Sequence, residues 1–465
     1  MRSFNRRTFL AGAGAAVAAP VCFNGIDPAF GAVPASGEVD VVIVGAGAAG
    51  IAAARRVAAA GRRFALIEAS DRIGGRCVTD SRSVGLPFDR GARALYAPDS
   101  NPLAQLAAAA GVETYAAPRL PRLRIGRRMA REGEMEDFLA VLFRARRAMA
   151  EPARGGGDAA ALQRLPKDLP DDWRPTVDFV LGAHATGRDL GALSAVDLAR
   201  SGDRSRAVFC RGGAGALVAA LGQRLPVQLS TPATRIEWLK TLQVETPRGR
   251  LRARAVIVTA STSVLAAGKI AFTPELPKSH ADALAHLWLG SLDRIALELP
   301  DNPLGLGADE ALFEKASGAR TAALLANVGG SALSVVDVGG AFGAELSTQG
   351  EAAMTDFAVS WLSDLFGSNV RNALRRHAVT RWNVAPWVLG AMSAASPGGE
   401  GGRKVLMAPL RERVWFAGDA VHETRWGTLG GAWESGTRAA EAALRKIGAI
   451  KDDKPEKPAR RRKPR

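Results

Sequence analysis

The stretch Val39–Gly50, VDVVIVGAGAAG, constrains this chain more than any other. Val41, Val42, Ile43 and Val44 form an apolar run of the kind that makes a buried parallel strand. Gly45, Gly47 and Gly50 follow at once, and Ile51–Ala60 has helix-forming composition. Phe64–Ile67 is a second apolar strand, with Glu68 at its end. Strand, tight turn and helix start put free backbone N–H groups and a positive dipole end where a pyrophosphate can sit. Gly45 permits the turn, Gly47 admits phosphate to the backbone beside Ala48 and Ala49, and Gly50 lets helix pack on strand. Glu68 is placed to accept both hydroxyls of an adenosine ribose. Three glycines alone say little. Glycines, strand, helix and acid together predict a dinucleotide-binding βαβ unit.

With 465 residues the chain can hold two or three domains. Its net charge of +16 is partly terminal: residues 451–465 carry eight Lys/Arg against three acids, and Arg2, Arg6 and Arg7 add three more charges. The tail KDDKPEKPARRRKPR has proline and charge but no apolar face. It is expected to be disordered, with at most weak contact to an anionic surface. No basic face with interleaved aromatics occurs elsewhere, so nucleic-acid binding is not expected. Asn5-Arg6-Arg7-Thr8-Phe9-Leu10 is a twin-arginine pattern, followed by an Ala/Gly stretch to Ala19 and small residues at 29–35. It predicts a twin-arginine signal peptide over 1–35, export in the folded state by the Tat machinery, and a periplasmic or secreted location. Cys22 falls in that leader. Cys77 and Cys210 are too few for a disulfide framework, although one bridge would be allowed. His184, His280, His286, His377 and His422 are scattered, with no CxxC or metal spacing, and no metal site is expected.

Periodicity predicts helices at 103–110, 135–150, 217–225, 352–366 and 430–447. It predicts strands at 227–229, 234–240, 242–245, 251–253, 255–259, 294–299, 322–327, 332–338 and 414–416. Nucleotide-type segments thus recur at the beginning, middle and end. After Glu68 and Ala69, Gly74 and Gly75 lie between Arg72 and Arg76, a loop that can face a diphosphate while guanidiniums neutralise it. Gly91 and Ala92 close another tight turn. Gly418 and Asp419 end the strand at 414–416, and Thr428–Ala432 opens a helix.

These loops, in this order, give a chain that resembles the flavin-containing amine oxidases over most of residues 39–447. The likeness is strongest at VDVVIVGAGAAGIAAA, EASDRIGGRC, FDRGA, FCRGGAGAL, VWFAGDA and GTLGGAWESG. It implies an α/β fold: a Rossmann-like FAD-binding domain assembled from three segments (38–105, 205–270 and 405–447) plus an α+β substrate domain with a mixed sheet (106–204 and 271–404). By the same likeness Gly45, Gly47, Ala48, Ala49, Gly50, Glu68 and Ala69 would hold the ADP half of FAD. Arg72, Gly74, Gly75, Arg76, Gly91, Ala92 and Arg93 would line the diphosphate and flavin, and the backbone of Ala233 and Thr234 the adenine. Gly418 and Asp419 would meet the ribityl-phosphate region, and Thr428, Leu429 and Ala432 the pyrimidine edge. Ala391 stands where monoamine oxidases carry a tethering cysteine, so FAD is expected to be noncovalent.

Departures from the family pattern mark the catalytic candidates. Arg294 takes the place of a lysine that holds a water at flavin N5. Met392 and Thr428 take the places of two substrate-clamping tyrosines, which leaves Trp382, Trp387 and Trp426 for aromatic clamping. Arg93 could clamp a carboxylate. The implied reaction is hydride transfer from the CH–NH bond of an amine or amino acid to flavin N5. It would give an imine, then aldehyde or keto acid and ammonia, with O2 or another acceptor taking the electrons as peroxide forms. The lost lysine and tyrosines leave two alternatives open: a desaturase- or isomerase-like flavoprotein acting on C–C bonds, and a non-catalytic FAD-binding protein.

Overall fold

The computed structural model describes residues 37–151 and 157–451. The segment read as a twin-arginine leader, Cys22 and the tail from residue 452 lie outside them. Strand β1 (Gly37–Val44) runs into helix α1 (Ala48–Ala59) and strand β2 (Phe64–Ile67), as the apolar runs demand. The same sheet takes β3 (Val227–Gln228), β4 (Arg235–Glu237), β5 (Gln243–Thr246), β6 (Gly249–Val258), β7 (Ala271–Thr273) and β8 (Val414–Phe416). Its order is β3-β2-β1-β6-β5-β4-β7, with β8 beside β6. The β3, β2, β1, β6 and β8 strands are mutually parallel. Thus three separate stretches of chain build one sheet, and β7 extends it slightly past residue 270.

β1 reads as unbroken hydrophobe because both its faces are covered. Val41 and Ile43 pack with α1 and the C-terminal helix α2 (Leu429–Lys446), whereas Val42 and Val44 pack with Ile67, Val256, Val258 and Phe416. Small residues let the two helices approach: a Cβ on Gly436 of α2 would lie 2.0 Å from Ala49 O of α1. Residues 251–253 and 255–259, read as two strands, are one continuous β6. Its first half alternates exposed and buried beside antiparallel β5; its second half is wholly buried between β1 and β8. The change of burial pattern, not a break, makes it look divided.

The helix expected at 217–225 begins earlier, at Ala214–Gly222. Asp89 Oδ2 and Oδ1 accept from Ala214 N and Gly215 N at 2.9 and 3.1 Å, and Thr79 Oγ1 accepts from Ala216 N at 2.9 Å. A cap supplied from so far away leaves no local signal. Cys77 and Cys210 are both free and buried, so the allowed bridge is not made. Burial pushes the Cys210 thiol up to about 11.

A second, mixed sheet has the order 376–379, 292–298, 333–339, 323–326, 310–314, 122–125, 128–129. All its pairs are antiparallel except 310–314 with 122–125. The helix Glu351–Phe366 covers one face through Met354, Phe357, Trp361 and Leu362. Register sets Arg294 directly opposite Asp337. That pairing matters for the site.

Candidate active site

The carboxyl ends of β1, β6 and β8 open onto a crevice, the place where parallel α/β sheets hold ligands. A shallow opening there is lined by Arg76, Thr259–Thr262, Leu406 and the Phe416–Val421 turn. Gly45 has φ +102°, and a Cβ there would meet Thr259 Oγ1 at 2.5 Å. A Cβ on Gly50 would fall 1.8 Å from Gly45 O. The N-cap of α1 is Gly47, which has no side chain to satisfy the first turn, so Ala48, Ala49 and Gly50 start the helix without a side-chain cap. Gly74 (φ +98°) donates to Ala46 O at 2.8 Å, and a Cβ on Gly75 (φ +57°) would come 3.2 Å from Gly47 Cα. Two glycine turns therefore lie against each other at the crevice floor. Glu68 is buried at the end of β2; its Oε2 accepts from Ala46 N at 2.6 Å and its Oε1 from Ser70 N at 2.9 Å, which fixes the Ala69 turn. An uncapped helix start, backbone approach at Gly47 and a fixed carboxylate fit the expected dinucleotide.

The arginines of the second loop are already engaged. Arg72 Nη1 donates to Gly75 O at 2.9 Å. Arg76 grips Asp419 with Nη2–Oδ1 at 2.5 Å and Nη1–Oδ2 at 3.2 Å, and Nη1 also donates to Ala391 O at 2.7 Å. Burial would raise the Asp419 carboxyl, but Arg76 and the Ser393 N–H hold it below its usual range. Asp419, expected at the ribityl-phosphate region, pins Arg76 and the 391–393 segment, with Ser393 N 3.0 Å from its Oδ2. Gly418 N donates to Ser435 Oγ at 2.9 Å, tying this turn to α2. Gly91 needs its lack of side chain, since a Cβ would sit 1.9 Å from Arg76 O, the acceptor of Ala92 N.

Arg294 is held by several neighbours. It is buried on the second sheet, donates through Nη1 to Asp89 O at 2.7 Å and to Gly91 O, and sets Nε 3.3 Å from Asp337 Oδ1. Burial, aided by Arg93, pushes its pKa down to about 10. Arg93 Nη2 reaches Asp337 Oδ2 at 2.8 Å, and His184 Nε2 lies 3.6 Å from the same oxygen. Burial raises the Asp337 carboxyl, but Arg93 and Arg294 outweigh it and hold it far below the usual range. Arg93 thus already grips an internal carboxylate. Asp337 and His184 gave no sequence signal: their importance comes from strand register and a distant helix.

The remaining candidates divide. Thr428 is the N-cap of α2; its Oγ1 accepts from Gly431 N at 3.0 Å and donates to Arg425 O at 2.6 Å, so the hydroxyl organises the helix start above Leu429 and Ala432. Met392 pairs with Gly290 in a short strand, and its Cβ is 3.8 Å from where a Cβ on Gly427 would stand, so Met392 and the Gly427 turn do meet. Trp387 is 40% exposed, with Lys269 Nζ 5.9 Å from its ring centroid. Trp382 is buried instead and donates to Arg90 O at 3.1 Å. Trp426 is fully buried between Arg204 and Arg403, whose Cζ atoms lie 4.9 and 4.6 Å from its ring. Ala233 is buried, and Thr234 gives its N–H to Glu245 O and accepts from Ala271 N through its carbonyl.

The turn leading into Thr428 contains a titratable pin. Thr424 N and Arg425 N donate to His422 Nδ1 at 3.3 and 3.0 Å, and Nε2 sits 2.9 Å from Glu434 Oε2. Nδ1 must therefore be the unprotonated acceptor. Burial lowers the His422 pKa, partly opposed by Glu434. The folded state favours neutral His422, so its stabilising effect is present above the unfolded pKa of about 6.5 and is lost as pH falls through the folded value. The melting temperature is expected to drop by a few degrees on acidification below that point, and less in His422→Gln. His280, also lowered by burial, contributes with the same sign in both proteins. Parallel melting curves for the two proteins would reject the pin.

The profile of the flavin-containing amine oxidoreductases matches residues 48–444. Human lysine-specific histone demethylase 2 is 26% identical over 450 residues, spanning 86% of this chain and 53% of that protein. Polyamine oxidase 4 of Oryza sativa subsp. japonica is 25% identical over 440 residues, spanning 88% of this chain and 89% of that protein. The chain covers only about half the length of the demethylase relatives. Among solved structures, cyclohexylamine oxidase from Brevibacterium oxydans superposes with a TM-score of 0.73 at 21% identity, covering 89% of this chain and 100% of that one. Putrescine oxidase bound to putrescine gives 0.74 at 18% identity, covering 88% and 99%. These two likenesses carry the fold.

Proposed function

The chain belongs to the flavin-containing amine oxidoreductases, enzymes whose cofactor is FAD, and from that premise we propose that it oxidises the CH–NH bond of a small amine to an imine that water converts to a carbonyl compound and ammonia. The uncapped start of α1 against the Gly47–Gly75 contact supports this reading most strongly. Ala48, Ala49 and Gly50 would bind the diphosphate, Glu68 the ribose, and the α2 start at Leu429–Ala432 the electron-rich edge of the ring. When bound, FAD would supply the two-electron acceptor for oxidation at the carbon that bears nitrogen, with oxygen as the final oxidant. The chain's own work is placement and charge. Arg93 and Arg294 disfavour an ammonium beside them, and so favour the neutral amine that can give up hydride. Asp337 holds both cations still. Ala391 offers no thiol, so FAD binds without a covalent link.

The reading also puts the enzyme outside the cytoplasm, through the twin-arginine leader and the Tat machinery. Purified protein should be yellow, and a panel of amines should bleach it without oxygen and yield peroxide with it. Protein that stays colourless after refolding with FAD would sink the proposal. Arg294→Met should slow reoxidation by oxygen roughly tenfold or more, and slow anaerobic bleaching less. An unchanged reoxidation rate would remove Arg294 from that step.

A further inference from the structure

Among the described residues seven large apolar side chains stay exposed, and three of them stand on one small platform. Trp288, Val384 and Trp387 are 44, 48 and 40% exposed. Three consecutive hydroxyls hold the two segments that carry them. Ser261 Oγ donates to Val388 O at 2.6 Å, Thr262 Oγ1 donates to Leu287 O at 2.6 Å, and Ser263 Oγ accepts from Leu289 N at 2.9 Å. The two segments also bond to each other: Ala391 N donates to Gly290 O at 2.7 Å, and Leu289 and Gly290 pair with Ser393 and Met392. The exposed rings therefore sit on a backbone that is already fixed, so little ordering cost remains when a partner covers them.

The charge of the platform has one sign. Residues 261–274, 283–292 and 381–399 include no Asp or Glu. Lys269 Nζ lies 5.9 Å from the Trp387 ring centroid, and Arg188 Nη2 donates to Trp288 O. The acids that flank these stretches are placed elsewhere. Asp282 pairs with Lys278 at 2.8 Å, Asp293 is buried, and Glu275 follows the far end of β7 from Lys269. Asp189, next to Arg188, accepts from Ala341 N at 3.0 Å. Exposed indole beside unopposed cation is thus the chemistry that this face offers.

We propose that this platform docks the enzyme on an anionic phospholipid bilayer, with Trp288, Val384 and Trp387 entering the headgroup region and Lys269 meeting its phosphates. An indole with an ammonium alongside matches the boundary between acyl chain and headgroup, apolar body inward and charge in water. A protein partner fits this face less well. The two rings expose roughly 100 Å² each, far below the about 800 Å² per partner of a stable protein interface. Ser261 and Thr262 also line the crevice opening, so docking sets the FAD side of the molecule beside the lipid. The attachment belongs to the folded face, and it holds whatever the enzyme oxidises.

Co-sedimentation of the full-length, FAD-loaded enzyme with lipid vesicles tests this without any activity measurement. Binding to equimolar phosphatidylcholine and phosphatidylglycerol should exceed binding to phosphatidylcholine alone roughly tenfold or more, and weaken as salt rises. Trp288→Ser combined with Trp387→Ser should lower it roughly tenfold or more. Lys269→Glu should lower it by about the same factor, and Lys269→Arg should leave it near wild type. Lys269 is exposed, so its variants keep the test decisive if the double tryptophan variant melts early. The tryptophan pair should cost the same factor in a chain whose Arg460, Arg461, Arg462 and Lys463 are all glutamine. Equal binding to both vesicle types overturns the inference. So do folded tryptophan and Lys269 variants that bind within about twofold of wild type, which would leave the basic tail as the attachment. A lipid-free dimer that the tryptophan changes abolish would make a second copy of the chain the occupant, and overturns it as well.

Discussion

Gly50→Ala is expected to give colourless protein, depleted of FAD and less stable by about 3 kcal/mol or more. In an ordinary helix the exchange is favourable by about 1 kcal/mol, because alanine is the better helix former. Here the added Cβ would land 1.8 Å from Gly45 O and 2.9 Å from Gly45 C. Those are backbone atoms of the turn itself, so no side chain can swing aside. Either α1 lifts from β1, or the Gly45–Gly47 turn deforms; both move the N–H groups that face the diphosphate. Gly436→Ala tests the same packing from the other helix, with a Cβ 2.0 Å from Ala49 O. Gly318→Ala is the control: nothing lies within 4 Å of its Cβ position, and it should stay within about 0.5 kcal/mol. Flavin absorbance per protein and a thermal melt read both effects. A yellow Gly50→Ala protein with a wild-type melt would remove close helix–strand packing from the account of the cofactor site.

Arg403→Met is expected to cost about 3–5 kcal/mol. Arg403 and Asp197 are almost wholly buried and paired twice, Nε–Oδ1 at 2.7 Å and Nη2–Oδ2 at 2.6 Å. Nη1 donates to Ser393 Oγ at 3.2 Å and Ala420 O at 2.9 Å, while Asp197 Oδ2 accepts from Ala395 N at 3.0 Å. One ion pair thus joins the helix Ala195–Ala199, the strand residue Ser393 and the turn that carries Asp419. Losing the cation strands Asp197 in the core. Adding Asp197→Asn should recover most of the loss, since the amide keeps an oxygen for Ala395 N without the charge. Chemical denaturation of the two single variants and the double variant measures the coupling. A single-variant cost under about 1 kcal/mol would show that the pair does not brace these segments.

What the chain reveals before folding depends on how local the physical requirement is. Gly45, Gly50 and Glu68 are legible because a turn, a close approach and a strand end each demand a residue type within a few positions. β8 and the Gly418–Asp419 turn are legible for the same reason. Arg294 stands out only as a departure from a family pattern, and nothing near it in the chain announces Asp337, which meets it through antiparallel register. Arg93 illustrates a harder case: its position beside Gly91 is visible in the sequence, but its division between a paired and an unpaired nitrogen is a property of the assembled site. Thr428 is legible as part of a motif, but its hydroxyl's place between Arg425 O and Gly431 N at the start of α2 is not. Trp387 is named as a clamp candidate by elimination, and its 40% exposure is visible only in the fold.

The pairing of β8 with β6 has a kinetic consequence. Emerging from the ribosome, a nascent chain that has already formed β1 through β7 still lacks one wall of the crevice, and α1 still lacks its partner α2. Capture of the nucleotide is thereby deferred until the chain has been made as far as α2. A truncated or stalled product is left unable to hold a redox group that it could misuse.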